Sequence, residues 1–185
     1  MPSNVAQKAL IGWAVHVPKI IRAFLHTKER ISMNVIQCYA PTNDSEEEFK
    51  DQFYNRLQSV IHTFPERDVI IWMGDFNAKI GGDNIGYEEV MEQHVLGIMK
   101  DNRERLADLS SLNKLVLDGS MSPHRRLHRT TWLSPDQSTE NQIDHFSIGE
   151  RFRRSLKYVR MKRSADVASD HHLVVANLKL ILEKN

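Results

Sequence analysis

The chain has 185 residues, a length that suits a single domain. It is 41% hydrophobic and 26% charged, the balance of a soluble globular protein, not of a disordered chain. With a net charge of +1 there is no global excess of cations to announce a nucleic-acid partner, so local patches must carry any such claim. The one cysteine, Cys38, excludes a disulfide and a cysteine-based zinc cluster within these residues. In the apolar run "VIQCYA" it reads as a small buried thiol, and a reducing, intracellular compartment fits. The opening "MPSNVAQKALIGW" lacks the apolar core of a secretory signal, and no stretch approaches the ~20 apolar residues of a membrane span.

In chain order, "RISMNVIQCYA" (Arg30 to Ala40) predicts a strand that ends at Pro41. "SEEEFKDQFYNRLQSVIHTF" predicts a helix, with Ser45 and Glu48 as a capping box. Phe49, Phe53, Leu57, Val60, Ile61 and Phe64 recur at spacings of three and four and define its apolar face. Pro65 ends it. Val69 to Met73 then form a short apolar run, a strand expected to be covered on both faces. That strand–helix–strand order predicts an α/β fold.

The run stops abruptly on Gly74-Asp75-Phe76-Asn77. Gly74 permits a backbone angle or a close approach that a larger residue would block. Asp75 and Asn77 point to one side if the chain stays extended. Ligands gather at the carboxyl ends of strands in open α/β sheets, which makes this a candidate site. The alternative is that both residues only shape a turn before Gly81-Gly82. Residues Gly81 to Gly97 read as loop, and "NRERLADLSSLN" as a second helix with Leu106, Leu109 and Leu112 inward. The candidates "KLVLD", "RTTWL", "NQIDHFSI", "LKYVRMK" and "HHLVVANLKLIL" predict short strands with antiparallel or mixed pairing.

Two further polar clusters stand out. "NQIDHF" carries Asn141, Asp144 and His145; alternation puts Gln142, Asp144 and Phe146 on one face and His145 on the other. "SDHHLVV" carries Ser169, Asp170, His171 and His172 just before the last strand. An aspartate can ligate a hard cation through oxygen, and a histidine oriented by a carboxylate can hydrogen-bond a phosphate. Each also has a plain structural reading, as a turn cap or a surface imidazole.

"YAPT", "GDFNA", "NQIDH" and "SDHH" follow one another in this order, each at a predicted strand end. Here the sequence resembles the endonuclease/exonuclease/phosphatase superfamily. More narrowly it is similar to the apurinic-type endonuclease domain of RTE-like non-LTR (LINE) retrotransposons. The resemblance extends through "VIQCYAPTND", "GDFNAKIG", "NRERLADL", "HRTTWLSPD", "TENQIDH", "RFRRSLKYVR" and "ADVASDHHLVVA". It implies a four-layered, DNase I-like α/β sandwich, two packed sheets flanked by helices. It implies Mg²⁺-dependent hydrolysis of a DNA phosphodiester, with Mn²⁺ as a possible substitute, in a nuclear setting. In that pattern Tyr39 touches the scissile phosphate. Asp75 activates the attacking water, and Asn77 orients the phosphate. His171 contacts the phosphate while Asp144 holds its ring. Asp170 belongs to the metal region. Asn141 and Trp132 lie near the DNA, although Trp132, next to Thr131, reads better as core. Arg125, Arg126 and Arg129 in "PHRRLHR" form a basic patch suited to DNA phosphates, and "RFRRSLKYVRMKR" offers a second.

The chain also departs from the pattern. The family's first two strands, one bearing an asparagine and the next the principal metal-binding glutamate, have no counterpart before Tyr39. None of Glu29, Glu46, Glu47 or Glu48 lies in a matching context. Glu92, Val95, Lys100 and Arg103 replace expected glycines and an asparagine. The expectation is an N-terminally truncated single domain, weakly active or inactive alone, that exposes apolar surface where strands are missing. A non-catalytic DNA- or protein-binding relic is the alternative reading; a phosphatase of the same fold is a third.

Overall fold

The structure is a computed structural model that describes residues 4–27, 31–79, 101–117, 130–162 and 169–181. The described elements are α1 (Asn4–Ala9), β1 (Leu10–Val17), β2 (Ile20–His26), β3 (Ser32–Tyr39), α2 (Glu47–Ile61), β4 (Val69–Asp75), α3 (Asn102–Leu112) and β5 (Leu115–Leu117). They continue with β6 (Trp132–Leu133), β7 (Glu140–Asn141), β8 (Asp144–Gly149), a 3₁₀ turn (Glu150–Ser155), β9 (Leu156–Lys162) and β10 (Leu173–Leu178).

A six-stranded sheet runs β1-β2-β3-β4-β8-β5. The α2 crossover makes β3 and β4 parallel; the other pairs are antiparallel. The sheet is therefore mixed, as the alternation of long and short connections predicts. Alternate residues of each central strand enter different cores. Ile36, Cys38, Trp72 and Phe76 meet Phe53, Leu57 and Val60 of α2 and Leu106 and Leu109 of α3. Val69, Ile71, Phe146 and Ile148 face the other way, toward Val159 of β9 and Ala176 and Leu178 of β10. Helices, large sheet and small sheet make three layers among the described residues. The outer helical layer expected beyond the small sheet has no counterpart among them. No described helix is long and apolar enough to cross a membrane.

Several local expectations change. The capping box does not form: the cap position of α2 is Glu46, with no side-chain hydrogen bond, and the Ser45 hydroxyl pairs with that of Thr42. Phe49 is 56% exposed because it falls in the first turn of α2, off the buried stripe; Lys50 and Tyr54 are buried instead. Leu112 is 69% exposed at the end of α3, beyond the reach of the sheet. "NQIDHFSI" is two strands, broken at Gln142-Ile143. The N-terminal hairpin turns at Pro18-Lys19, with Lys19 at φ 78°; Pro18 was the one local turn signal, and the flanking strands were not predicted.

The β1–β2 end of the sheet is uncovered on one face. Trp13 stands opposite Ala23, and Ala23 opposite Val35, so Trp13 shares the face that bears the small sheet. It is nevertheless 67% exposed, and Ile11 and Val15 beside it are also exposed.

One buried polar network stands at the far end of the sheet. Arg22 stacks between the rings of Phe24 and Phe64 and donates to Asn34 Oδ1 at 2.7 Å, while Asn34 Nδ2 donates to Asp68 Oδ2 at 3.0 Å. Asn34 is 1% exposed. Asn34→Ala strands both neighbours, so an expected loss of about 1–3 kcal/mol follows, read as a lower denaturation midpoint with an unchanged slope.

Candidate active site

The site is assembled from strand ends. Tyr39 closes β3 and pairs with Asp75, which closes β4; Asp75 in turn lies opposite Asp144, which opens β8. Gly74 makes this convergence possible. Its φ is +145°, and a Cβ there would lie 1.9 Å from the carbonyl oxygen of Cys38. No residue with a side chain fits that approach.

Beyond Asp75 the chain does not stay extended. Asn77 adopts φ 48°, a left-handed conformation that asparagine tolerates. Its N–H donates to Asp75 Oδ1 at 2.8 Å, and its side-chain amide donates to the Ala40 carbonyl at 2.9 Å. The turn reading and the site reading of this stretch therefore coexist: the turn is what brings Asn77 beside Asp75. The next residue, Ala78, is pinned by the buried imidazole of His145, whose Nε2 contacts the Ala78 carbonyl at 2.8 Å. His145 faces the helix side, as the alternation predicts, and supports the loop without joining the polar cluster.

A second tier comes from Thr131. It is fully buried, and its hydroxyl accepts the N–H groups of Ile143 and Asp144, both at 3.0 Å. This fixes the start of β8. The neighbouring Trp132 bridges to His171 and pairs with Asn141 in the β6–β7 ladder. Asp144 Oδ2 lies 2.9 Å from His171 Nδ1. A carboxylate there favours the tautomer with the proton on Nδ1, leaving Nε2 for a ligand. Trp132 is not core. It is partly exposed, and its indole N–H donates to Asp170 Oδ2 at 2.8 Å. Thr131, its neighbour, is the buried member of the pair.

The carboxylates differ electrostatically. Burial pushes the Asp75 carboxyl above its ordinary value of 3.8; the Asn77 N–H opposes this, and the nearby Asp144 adds to it. Asp170 is exposed and shifts downward, chiefly because of the Trp132 indole. Two carboxylates of opposite tendency at one site suit a base and an anion that stays charged.

Sequence reasoning missed Lys19, whose ammonium lies 4.9 Å from the centre of the Tyr39 ring and adds a cation at the mouth of the cluster. Arg125, Arg126 and Arg129 lie outside the described residues, as do Glu92, Val95 and Lys100. The second basic patch is split. Arg151, Arg153 and Arg154 belong to the 3₁₀ turn after β8, at the end of that strand away from Asp144, roughly 17 Å off by strand rise. They line an open cleft of about 770 Å³ there. Among the described residues of this patch, Lys162, opposite Leu173, comes back toward His171; Arg163 lies outside the described residues.

The described residues do not by themselves build a metal cage. Asp75, Asp144 and Asp170 each give one oxygen to Asn77, His171 or Trp132, and no group of three or more metal-binding side chains gathers among the described residues. Glu47 is held by Lys50 and Arg105, and Glu48 by Gln52.

This arrangement of strands and helices is the DNase I-like fold. It matches a Neisseria 3′ phosphatase, NExo, solved with a product DNA hairpin, at a TM-score of 0.65 and 20% identity, covering 92% of this chain and 71% of that one. It matches the endonuclease domain of TRAS1, a telomere-specific non-LTR retrotransposon, at 0.62 and 15%, covering 92% and 69%. Identities this low establish the fold alone. In sequence the chain is similar to craniofacial development protein 2 of Tragulus javanicus, 34% identical over 179 residues, 96% of this chain. The chain spans about 30% of the length of that curated relative. No family model matches it.

Proposed function

We propose that this chain is a DNA phosphodiester hydrolase domain, an endonuclease of retrotransposon origin, that works weakly in isolation. The observation that carries the reading is the convergence of Asp75, Asp144 and His171 from separate strand ends, with Asp144 on the His171 ring at 2.9 Å. The relatives support it: among them are a DNA-bound 3′ phosphatase and a retrotransposon endonuclease.

In this reading a phosphodiester lies over Tyr39, Asn77 and His171; the Tyr39 hydroxyl, the second side-chain N–H of Asn77 and, when the ring carries both protons, His171 Nε2–H meet the phosphoryl oxygens and stabilise the charge that develops on them. Asp75, made more basic by burial, takes a proton from the attacking water. The new P–O bond forms in line with the one that breaks, and the departing sugar oxygen takes a proton from solvent and leaves as a hydroxyl. Mg²⁺, with Mn²⁺ as a substitute, is the proposed cofactor and would offset charge on the phosphate. Asp170, exposed beside His171, is the residue that would hold it. A nuclear location follows only from DNA as substrate.

That no group of three metal-binding side chains gathers among the described residues favours a second reading, a non-catalytic module that keeps the fold and binds DNA or protein. The test uses three probes with Mg²⁺: a labelled intact duplex, the same duplex with an abasic-site analogue, and an inositol polyphosphate. Slow cleavage of duplex that stops with EDTA, with the inositol polyphosphate untouched, is the expected result. Phosphate release from the inositol probe with intact duplexes would make the chain a phosphatase. Duplex binding without cleavage would leave the module.

A further inference from the structure

Asn77 is held from behind by residues that no part of the catalytic reading uses. Asn43, three residues past Ala40, donates from Nδ2 to the carbonyl of Asn77 at 3.2 Å. Its Oδ1 accepts the N–H of Asn102 at 3.0 Å. Asn102 opens α3 and is fully buried; its Nδ2 donates to the carbonyl of Pro41 at 2.7 Å. Its own carbonyl accepts the hydroxyl of buried Tyr54 at 3.2 Å. The buried ammonium of Lys50 donates to the carbonyl of Asn43 at 3.0 Å. Three segments are thereby joined: the turn after β3, the turn after β4 and the first turn of α3.

These contacts exceed what the local structure requires. The cap of α3 is already supplied by Asp101, whose Oδ1 accepts the Glu104 N–H at 3.0 Å. Asn102 Oδ1, by contrast, is buried without a hydrogen-bond partner. A buried unsatisfied acceptor costs stability and calls for an explanation beyond packing. A left-handed residue in a loop is also the kind of group whose placement needs outside support.

We propose that Asn43 and Asn102 are positioning residues of the candidate site, holding the Asn77 turn in register with Tyr39 and Asp75. The proposal rests on the reading of Asn77 as a phosphate clamp, but its geometry is testable without catalysis. Asn43 is solvent-exposed, so its replacement leaves the cores intact. Asn43→Asp keeps the acceptor for Asn102 and removes the donor to Asn77; Asn43→Ala removes both.

The experiment follows the Asn77 side-chain amide of the full chain by ¹⁵N NMR hydrogen exchange, beside thermal melting. In wild type this amide is protected by Ala40. Both variants are expected to melt within a few degrees of wild type while Asn77 loses protection at least tenfold. Where duplex cleavage is measurable, kcat falls about 10- to 100-fold with KM little changed, as for a clamp displaced by a fraction of an ångström. Unchanged Asn77 protection in both variants overturns the proposal. Lost protection in a wild-type chain background that never cleaves DNA upholds the positioning and refutes the hydrolytic reading instead.

Discussion

Gly74→Ala is expected to prevent folding or to lower Tm by about 8–16 °C, the equivalent of roughly 4 kcal/mol or more in a domain of this size. The cause is steric and cannot relax cheaply. A Cβ at Gly74 would meet the Cys38 carbonyl at 1.9 Å, and that carbonyl belongs to the adjacent buried strand of the sheet. The φ of +145° adds a conformational penalty for any L side chain. Separating β3 from β4 to make room would open the layer that holds Cys38, Trp72 and Phe76. Gly12→Ala is the matched control: nothing lies within 4 Å of its added carbon, and little change is expected. Thermal melting of the two variants decides it. Equal Tm for Gly74→Ala and wild type would mean that the strands do not approach as described.

Asp75→Asn should do two opposite things. Hydrolysis, where measurable, should fall by about 10²- to 10⁴-fold, the usual weight of a general base. The fold should become more stable at neutral pH. Burial holds the folded-state carboxyl above its ordinary value of 3.8, so the charged form is penalised in the folded chain. Asparagine keeps an oxygen for the Asn77 N–H and carries no charge. The sign with pH follows. Above the raised folded-state value both states of the wild type are ionised, and the variant's advantage is full. As pH falls through that value toward 3.8 the wild-type carboxyl takes a proton, and the advantage closes. Melting curves across the acid range test this; a variant less stable than wild type at neutral pH would show that the Asp75 charge is compensated by partners. The trade is the one expected at a functional position, where stability is given up for chemistry.

How legible this was in the sequence varies by physical cause. The β4 strand, its burial on both faces and its end at Gly74-Asp75 were readable, because apolar runs and glycine act locally. The α2 stripe was readable from Phe53 to Phe64. Its start was not, because Phe49, Ser45 and Glu48 depend on where the first turn begins against the sheet. The outward end of α3 at Leu112 depended likewise on the length of β5. The direction of Asn77 was misjudged because a single left-handed residue leaves no mark on periodicity. The pairing of Asp144 with His171 joins residues 27 apart through Thr131 and Trp132, and only the family resemblance pointed to it. Lys19 and Asn43 reach the site through tertiary contacts alone. The exposure of Ile11, Trp13 and Val15 on β1 was likewise not readable, because it depends on what packs over that face of the sheet.

The most direct measurement is the rate at which the purified, folded chain nicks supercoiled plasmid with Mg²⁺, compared with His171→Ala in the same buffer and with an EDTA control. The account predicts slow nicking by the wild type that is lost in both. Nicking that survives His171→Ala, or a folded wild type that never nicks, would contradict it.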